Sequence, residues 1–254
     1  MDGYVLRILT QDVGCIAGIN DAPICEDMRG LGLSSTRSVA EWVMPGENFF
    51  TVYLFWPPDR AFESGKAATT ATLFIGQTSE SETTRHPVAA MMYPIPGIPE
   101  AYPYRVRQKF QANPVPPTRL WGDAQPVERL SEGDQRDMVD LAERFRQTFV
   151  ARNVQAMYDL TSYKFEDRAR AEGFSPTEQR QAAMELYAEM VASNENVVAP
   201  LYPELIVFDS IANGAVYRLT QGSGQKLIRM EDAKTRRRID IYMAKISGKW
   251  TIVR

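Results

Sequence analysis

Apolar and polar residues alternate with a period of two near both ends of the chain, and a period near 3.6 takes over between them. Tyr4–Leu9, Cys15–Ile19, Ile24–Glu26, Lys66–Ile75, Val88–Tyr93 and Tyr104–Phe110 read as strands. Phe49–Trp56 is the most apolar run. Phe49, Thr51, Tyr53 and Phe55 fall on one face and Phe50, Val52, Leu54 and Trp56 on the other. With both faces apolar, this strand is expected at the centre of a sheet and covered on both sides. Ser34–Glu41 is small and polar and reads as a crossing segment.

Helical spacing begins after Ser131. Ser131 and Asp134 form a capping-box start, followed by Met138, Leu141, Phe145 and Phe149 on one stripe. Asn153 can cap a second helix that ends at Gly173. Ser175-Pro176-Thr177-Glu178 starts a third. Five further strands are expected: Leu205–Asp209, Ala215–Gln221, Lys226–Glu231, Arg237–Ile246 and Trp250–Val253. Their separators include Ala212-Asn213-Gly214, Asp232-Ala233-Lys234 and Ser247-Gly248-Lys249. Strands joined this tightly pair with their neighbours. Nine of the sixteen prolines lie between Pro87 and Pro126, where the period changes. The expected fold class is therefore α+β. An all-β sandwich spans 1–112, a proline-rich linker 113–130, and a three-helix plus antiparallel-sheet domain 131–254. Trp250 is expected to pack on Met138, Leu141 and Phe145.

Helix, helix, helix and then a sheet ending in Trp250-Thr251-Ile252-Val253, with Ala156-Met157-Tyr158-Asp159-Leu160 inside the second helix, resembles the nuclear transport factor 2-like, cystatin-like α+β cone over about 131–254. Members of that superfamily include enzymes, ligand carriers and assembly modules, so the resemblance implies a fold and no activity. In the first half, Ile19-Asn20-Asp21-Ala22 and Pro45-Gly46-Glu47-Asn48-Phe49 are similar to turns of jelly-roll or galactose-binding-like β-sandwiches attached to glycosidases. That resemblance implies a sandwich and carries no sugar site across.

Composition narrows the function. A net charge of -3 argues against a general nucleic-acid binder, and no apolar run reaches the ~20 residues of a membrane span. Met1-Asp2-Gly3 leads straight into a strand, without a signal peptide. Cys15 and Cys25 flank a turn signal at Asn20–Pro23, and a hairpin there would bring them within disulfide reach. That pairing leads us to expect a periplasmic or secreted protein whose export signal has been removed; the alternative is a cytoplasmic one.

The single histidine, His86, precedes Pro87 in a stretch expected to be a loop, outside the helical half. A histidine-based dyad or triad in the cone is thereby excluded, as is a metal site of several histidines. No catalytic residue, cofactor or metal is expected. Carboxylates and tyrosines remain as pocket candidates: Tyr158, Asp159, Tyr163, Tyr217, Asp240 and Tyr242. A buried Asp240 beside a tyrosine could act as a general base with an oxyanion donor. Arg105, Arg107 and Lys109 line one face of their strand as a basic stripe that could hold an acidic partner, or could be a solvated face or an edge protected by charge. Three functions are expected in order of preference. The first is a non-catalytic bacterial envelope protein that binds a partner protein, toxin neutralisation included. The second is a small isomerase or hydrolase using Asp240 and a tyrosine. The third is a carbohydrate-binding protein acting through the aromatics of the sandwich.

Overall fold

The computed structural model describes residues 3–59, 63, 65–77, 79–80, 84–95, 101–192, 197–222, 224–231 and 236–254. The chain divides into two compact units, Met1–Pro117 and Thr118–Arg254.

Among the described residues the first unit holds eight antiparallel strands: β1 (Gly3–Gln11), β2 (Gly14–Ile19), β3 (Ala22–Asp27), β4 (Leu33–Ser38), β5 (Glu47–Phe55), β6 (Ala68–Gly76), β7 (His86–Tyr93) and β8 (Tyr104–Gln111). They form two four-stranded sheets, ordered β4-β1-β6-β7 and β3-β2-β5-β8. Alternate residues of each strand turn inward. Tyr4, Leu6 and Ile8 of β1 and Phe50, Val52 and Leu54 of β5 are fully buried. The Tyr4 ring meets Phe110 at 5.8 Å and Tyr93 meets Tyr104 at 4.7 Å, so the inner faces of the two sheets share one core.

Three expectations change here. Ser34–Glu41 is not a plain crossing segment, because Leu33–Ser38 pairs along β1 as edge strand β4. An edge strand with little to bury carries no apolar alternation, so its pairing leaves no side-chain signature. β5 is central in its sheet, yet Phe49, Thr51, Tyr53 and Phe55 are only half-buried. Cys15 and Cys25 are both buried and both free. An irregularity between Ala17 and Gly18 sets Cys15 opposite Asp27 and Cys25 opposite Ala17, so the two thiols sit diagonally on the hairpin. Burial pushes the Cys15 thiol up to about 12, which keeps it protonated and unreactive at neutral pH.

The second unit opens with a short helix α1 (Leu120–Asp123), then α2 (Glu132–Val150), α3 (Val154–Glu172) and α4 (Pro176–Val191). The caps of α2 and α3 match the sequence, whereas Ser175 precedes α4 without a side-chain capping bond. Asp134 N–H donates to Ser131 Oγ at 3.1 Å and Ser131 N–H returns a bond to Asp134 Oδ2 at 3.2 Å. Asn153 caps α3, and Gly173 ends it at φ 75°. Strands β9 (Val197–Val198), β10 (Ile206–Ile211), β11 (Val216–Gln221), β12 (Gln225–Lys226), β13 (Ile228–Glu231), β14 (Arg236–Ile239), β15 (Ile241–Ile246) and β16 (Lys249–Ile252) follow. One sheet runs β10-β11-β15-β16 with β12 on β11, and a smaller one runs β14-β13-β9. The single strand expected over Arg237–Ile246 is interrupted at Asp240, where the chain passes from one sheet to the other. The turn expected at Asp232-Ala233-Lys234 lies outside the described residues.

The helices lay their stripe on the sheet. Met138, Phe145, Phe149, Met157, Phe165, Tyr187, Leu219, Ile241, Met243 and Ile252 form one buried cluster. Trp250 packs against that cluster with Leu141 and, half-buried, donates its indole N–H to Asp134 at 3.0 Å. The residues from Thr118 to Leu130, expected to belong to a linker, lie on the second unit. Gln125 N–H bonds Lys245 O at 2.9 Å and Val127 N–H bonds Gly214 O at 2.9 Å. Gly214 sits at φ +82°, and a Cβ there would fall 2.4 Å from Val127 O, so glycine alone allows this approach.

Candidate functional site

The candidate site is the outer face of β2, β5 and β8 in the first unit. A two-residue turn between β2 and β3 builds its rim. Asn20 and Asp21 adopt φ of 54° and 68°, the left-handed pair that a tight hairpin requires. Asn20 is buried and locks the turn to the start of β5. Its Nδ2 donates to Trp42 O at 2.9 Å and to Asn48 Oδ1 at 2.8 Å, while Phe49 N–H donates to its Oδ1 at 2.9 Å. The two turn segments singled out in the sequence therefore meet through Asn20 and Asn48. This lock leaves Asp21 projecting beside β8.

The register places Phe49, Thr51 and Tyr53 of β5 directly across from Lys109, Arg107 and Arg105. Arg107 stacks its guanidinium 3.6 Å from the Phe49 ring centre, and Lys109 lies 5.6 Å from it. Asp21 forms an ion pair with Arg105 at 3.5 Å and accepts from Arg107 at 3.3 Å, and Glu47 pairs with Lys109 at 3.1 Å. All five charged groups are exposed, Lys109 most at 66%. Ion pairs in this setting hold geometry and contribute little stability. Tyr53 and Phe55 stack at 5.7 Å. Beside them, Ile16, Pro23, Thr51, Tyr53 and Arg105 line an open groove of about 300 Å³. The buried Thr51 hydroxyl has no hydrogen-bond partner among the described residues. This face offers rings and pre-positioned cations, and no nucleophile paired to a base.

The pocket candidates of the second unit are not brought together. Asp240 receives both Arg218 nitrogens, at 2.9 and 3.2 Å, on one oxygen and Lys226 Nζ at 2.5 Å on the other. Both of its oxygens are thereby taken up in ion pairs. Arg218 also lies 6.0 Å from the buried ring of Tyr242. Tyr217 donates to Val127 O at 2.5 Å. Tyr163 donates to Asp123 at 3.0 Å, under Arg119, and burial followed by that bond pushes its hydroxyl up. Tyr158 stacks on Phe165, while Asp159 accepts from Gln155 on the surface. The space between helices and sheet is occupied by Phe145, Phe149, Phe165 and Tyr187, whose rings meet edge-on at 5.0 to 6.3 Å. Tyr187 bonds Thr161 at 2.9 Å, and burial pushes its hydroxyl up to about 12.

No family model, curated protein or solved structure matches this chain.

Sequence reasoning found Arg105, Arg107 and Lys109 but missed the acids that hold them, Asp21 and Glu47, and the rings beneath. Alternation could have supplied the rings, since Phe49, Tyr53 and Phe55 share a face. It also missed Asp167, which is fully buried in α3 and accepts from Thr118 Oγ1, Arg119 N–H and Arg254 Nη2 at 2.5, 2.6 and 2.8 Å. A carboxylate on a helix gives no sign of such partners. His86 begins β7 and is exposed. Among the described residues no group of acids, histidines and cysteines could hold a metal, and no helix is long and apolar enough to cross a membrane.

Proposed function

We propose that this protein is a non-catalytic binding protein whose partner is another protein, held at the outer face of β2, β5 and β8. The observation that carries this reading is the row of half-buried rings, Phe49, Tyr53 and Phe55, set beside the exposed cations of β8. Rigid aromatics flanked by arginine are the side chains that concentrate binding energy at protein interfaces. The second unit supports it indirectly, because its candidate base Asp240 is ion-paired and its interior is filled by aromatic rings. The second unit is then a packed α+β support of the nuclear transport factor 2-like kind, not a reaction chamber. The compartment stands outside this reading, because the thiols that pointed to the envelope are free in the structure.

The test places a photo-crosslinking amino acid at position 53, with position 174 of the second unit as control, in the cells the protein comes from. A discrete adduct at 53, lost on Arg107→Glu and missing at 174, is the expected result. Equal labelling at both positions, or none at 53, would overturn the proposal.

One observation favours a second reading. The stacked Tyr53 and Phe55 beside an open groove also suit a carbohydrate ring. Titration calorimetry with a panel of neutral oligosaccharides separates the two. Saccharide binding that is lost in Tyr53→Ala, with no protein adduct, would replace the first reading by the second.

A further inference from the structure

We propose that β8 receives an acidic, extended segment of the partner as an added antiparallel strand, with carboxylates at alternate positions opposite Arg105, Arg107 and Lys109. This rests on the partner-binding reading of the same face and specifies the chemistry that the face selects.

β8 ends its sheet, and among the described residues no strand pairs with its second edge. The side to which each residue turns its backbone follows from two bonds. Ala112 N–H donates to Gly46 O at 3.0 Å, and Asn20 N–H donates to Phe49 O at 2.8 Å. In an antiparallel ladder alternate residues direct both backbone groups to the same side. In β5, even-numbered residues therefore bond to β8 and odd-numbered residues to β2. In β8, Tyr104, Val106, Gln108 and Phe110 bond to β5. Arg105, Arg107 and Lys109 turn their N–H and C=O groups to the open edge.

These same three residues carry the cationic side chains, and all three are exposed. A strand added at this edge would set a residue directly opposite each of them, with its side chain on the same outer face. The opposing residues recur every second position, about 6.8 Å apart along the strand. Charges along an edge repel further strands of neutral or like-charged character. Here they would instead select a strand whose alternate residues are Asp or Glu.

Two carboxylates, Asp21 and Glu47, pair with the three cations of β8, and Glu26 stands on the same face in the row Glu26, Ile16, Tyr53, Arg105. Because those pairs are exposed, the cations can exchange them for incoming carboxylates in water. Arg107 is already fixed over Phe49, so its fork is oriented before binding.

The test uses the full chain and three end-blocked nine-residue peptides followed by fluorescence anisotropy. The first alternates Glu with Thr and Val. The second has the same composition with its glutamates in one block. The third is the first with N-methyl groups on the amides that would face β8. The alternating peptide should bind, roughly tenfold or more tightly than the other two, and weaken as salt rises. Arg105→Glu with Arg107→Glu should abolish binding while circular dichroism and the thermal midpoint stay unchanged. Arg105→Lys with Arg107→Lys should retain part of it. Equal binding of the block or N-methylated peptide overturns the added strand, as does no binding at all. If the adduct at position 53 persists in that case, partner binding stands and only the added strand falls. If both are missing, both fall.

Discussion

Two sets of ion pairs, one in each unit, behave in opposite ways. Asp167 and Arg254 are nearly inaccessible to water, and Asp167 also receives Thr118 and Arg119. Asp21 and its arginines lie in solvent on a sheet face. Removing water from a charge is costly unless every lone pair finds a donor, so the buried set is bound to one arrangement. The exposed set has kept its hydration and can change partners at little cost. The first set is a structural clamp and the second is available for recognition. The same contrast separates the aromatics: those of the second unit fill its interior, whereas Phe49, Tyr53 and Phe55 remain half in water.

This contrast can be broken most directly at Asp167. Asp167→Ala leaves the Arg254 guanidinium buried without its carboxylate and should destabilise the second unit by about 3–5 kcal/mol in urea unfolding. A loss below about 1 kcal/mol would mean that water reaches the pair and that the distinction between the units fails. Next in size is Trp250→Ala. It removes a half-buried ring from the cluster and the indole bond to Asp134, so about 2–3 kcal/mol is expected, short of the value for a fully buried ring. A denaturation midpoint at the wild-type value would show that β16 does not belong to the core.

Asp134 sharpens the comparison through pH. The Ser131 hydroxyl, then Lys245, Trp250 and the Ser131 amide, hold its carboxyl well below the ordinary carboxylate range. A depressed folded value means that the stabilisation is fully present above the unfolded value, near pH 4, and is lost as pH falls below it. The difference in unfolding midpoint between wild type and Asp134→Asn should therefore be constant from pH 5 to pH 7 and shrink below about pH 4. A difference that is unchanged at pH 2.5 would assign the effect to geometry and not to charge. The smallest expected effect is Asp21→Ala. It should change stability by less than about 1 kcal/mol. It should also tighten binding of the alternating acidic peptide, because Arg105 and Arg107 lose their competing carboxylate. Weaker peptide binding would show that Asp21 orients the arginines and does not compete for them.

Local rules made much of the architecture legible. The capping box at Ser131 and Asp134, the stop at Gly173, the apolar run of β5 and the alternation of β8 each depend on residues a few positions apart. Short-range sterics and hydrogen bonding are sufficient to specify them. The change of period across the proline-rich stretch 113–130 marks the passage to helices, and the compact units divide within it, after Pro117. The strap from Thr118 to Leu130 has no periodicity of its own and is held by backbone bonds to distant residues. The same limitation hid β4, whose pairing with β1 uses main-chain groups that every residue carries.

Side-chain identity showed that β8 bears a basic stripe, that His86 is the only imidazole and that the helices share an apolar face. It could not show that Asp240 is clasped by Arg218 and Lys226, that the tyrosines point to separate neighbours, or that a one-residue irregularity sets Cys15 and Cys25 on a diagonal. Those outcomes depend on register and on contacts between residues far apart in the chain. A one-position shift in pairing changes which groups meet without altering a single local propensity. The role of a charged residue here therefore follows from its access to water and to partners, which packing alone sets.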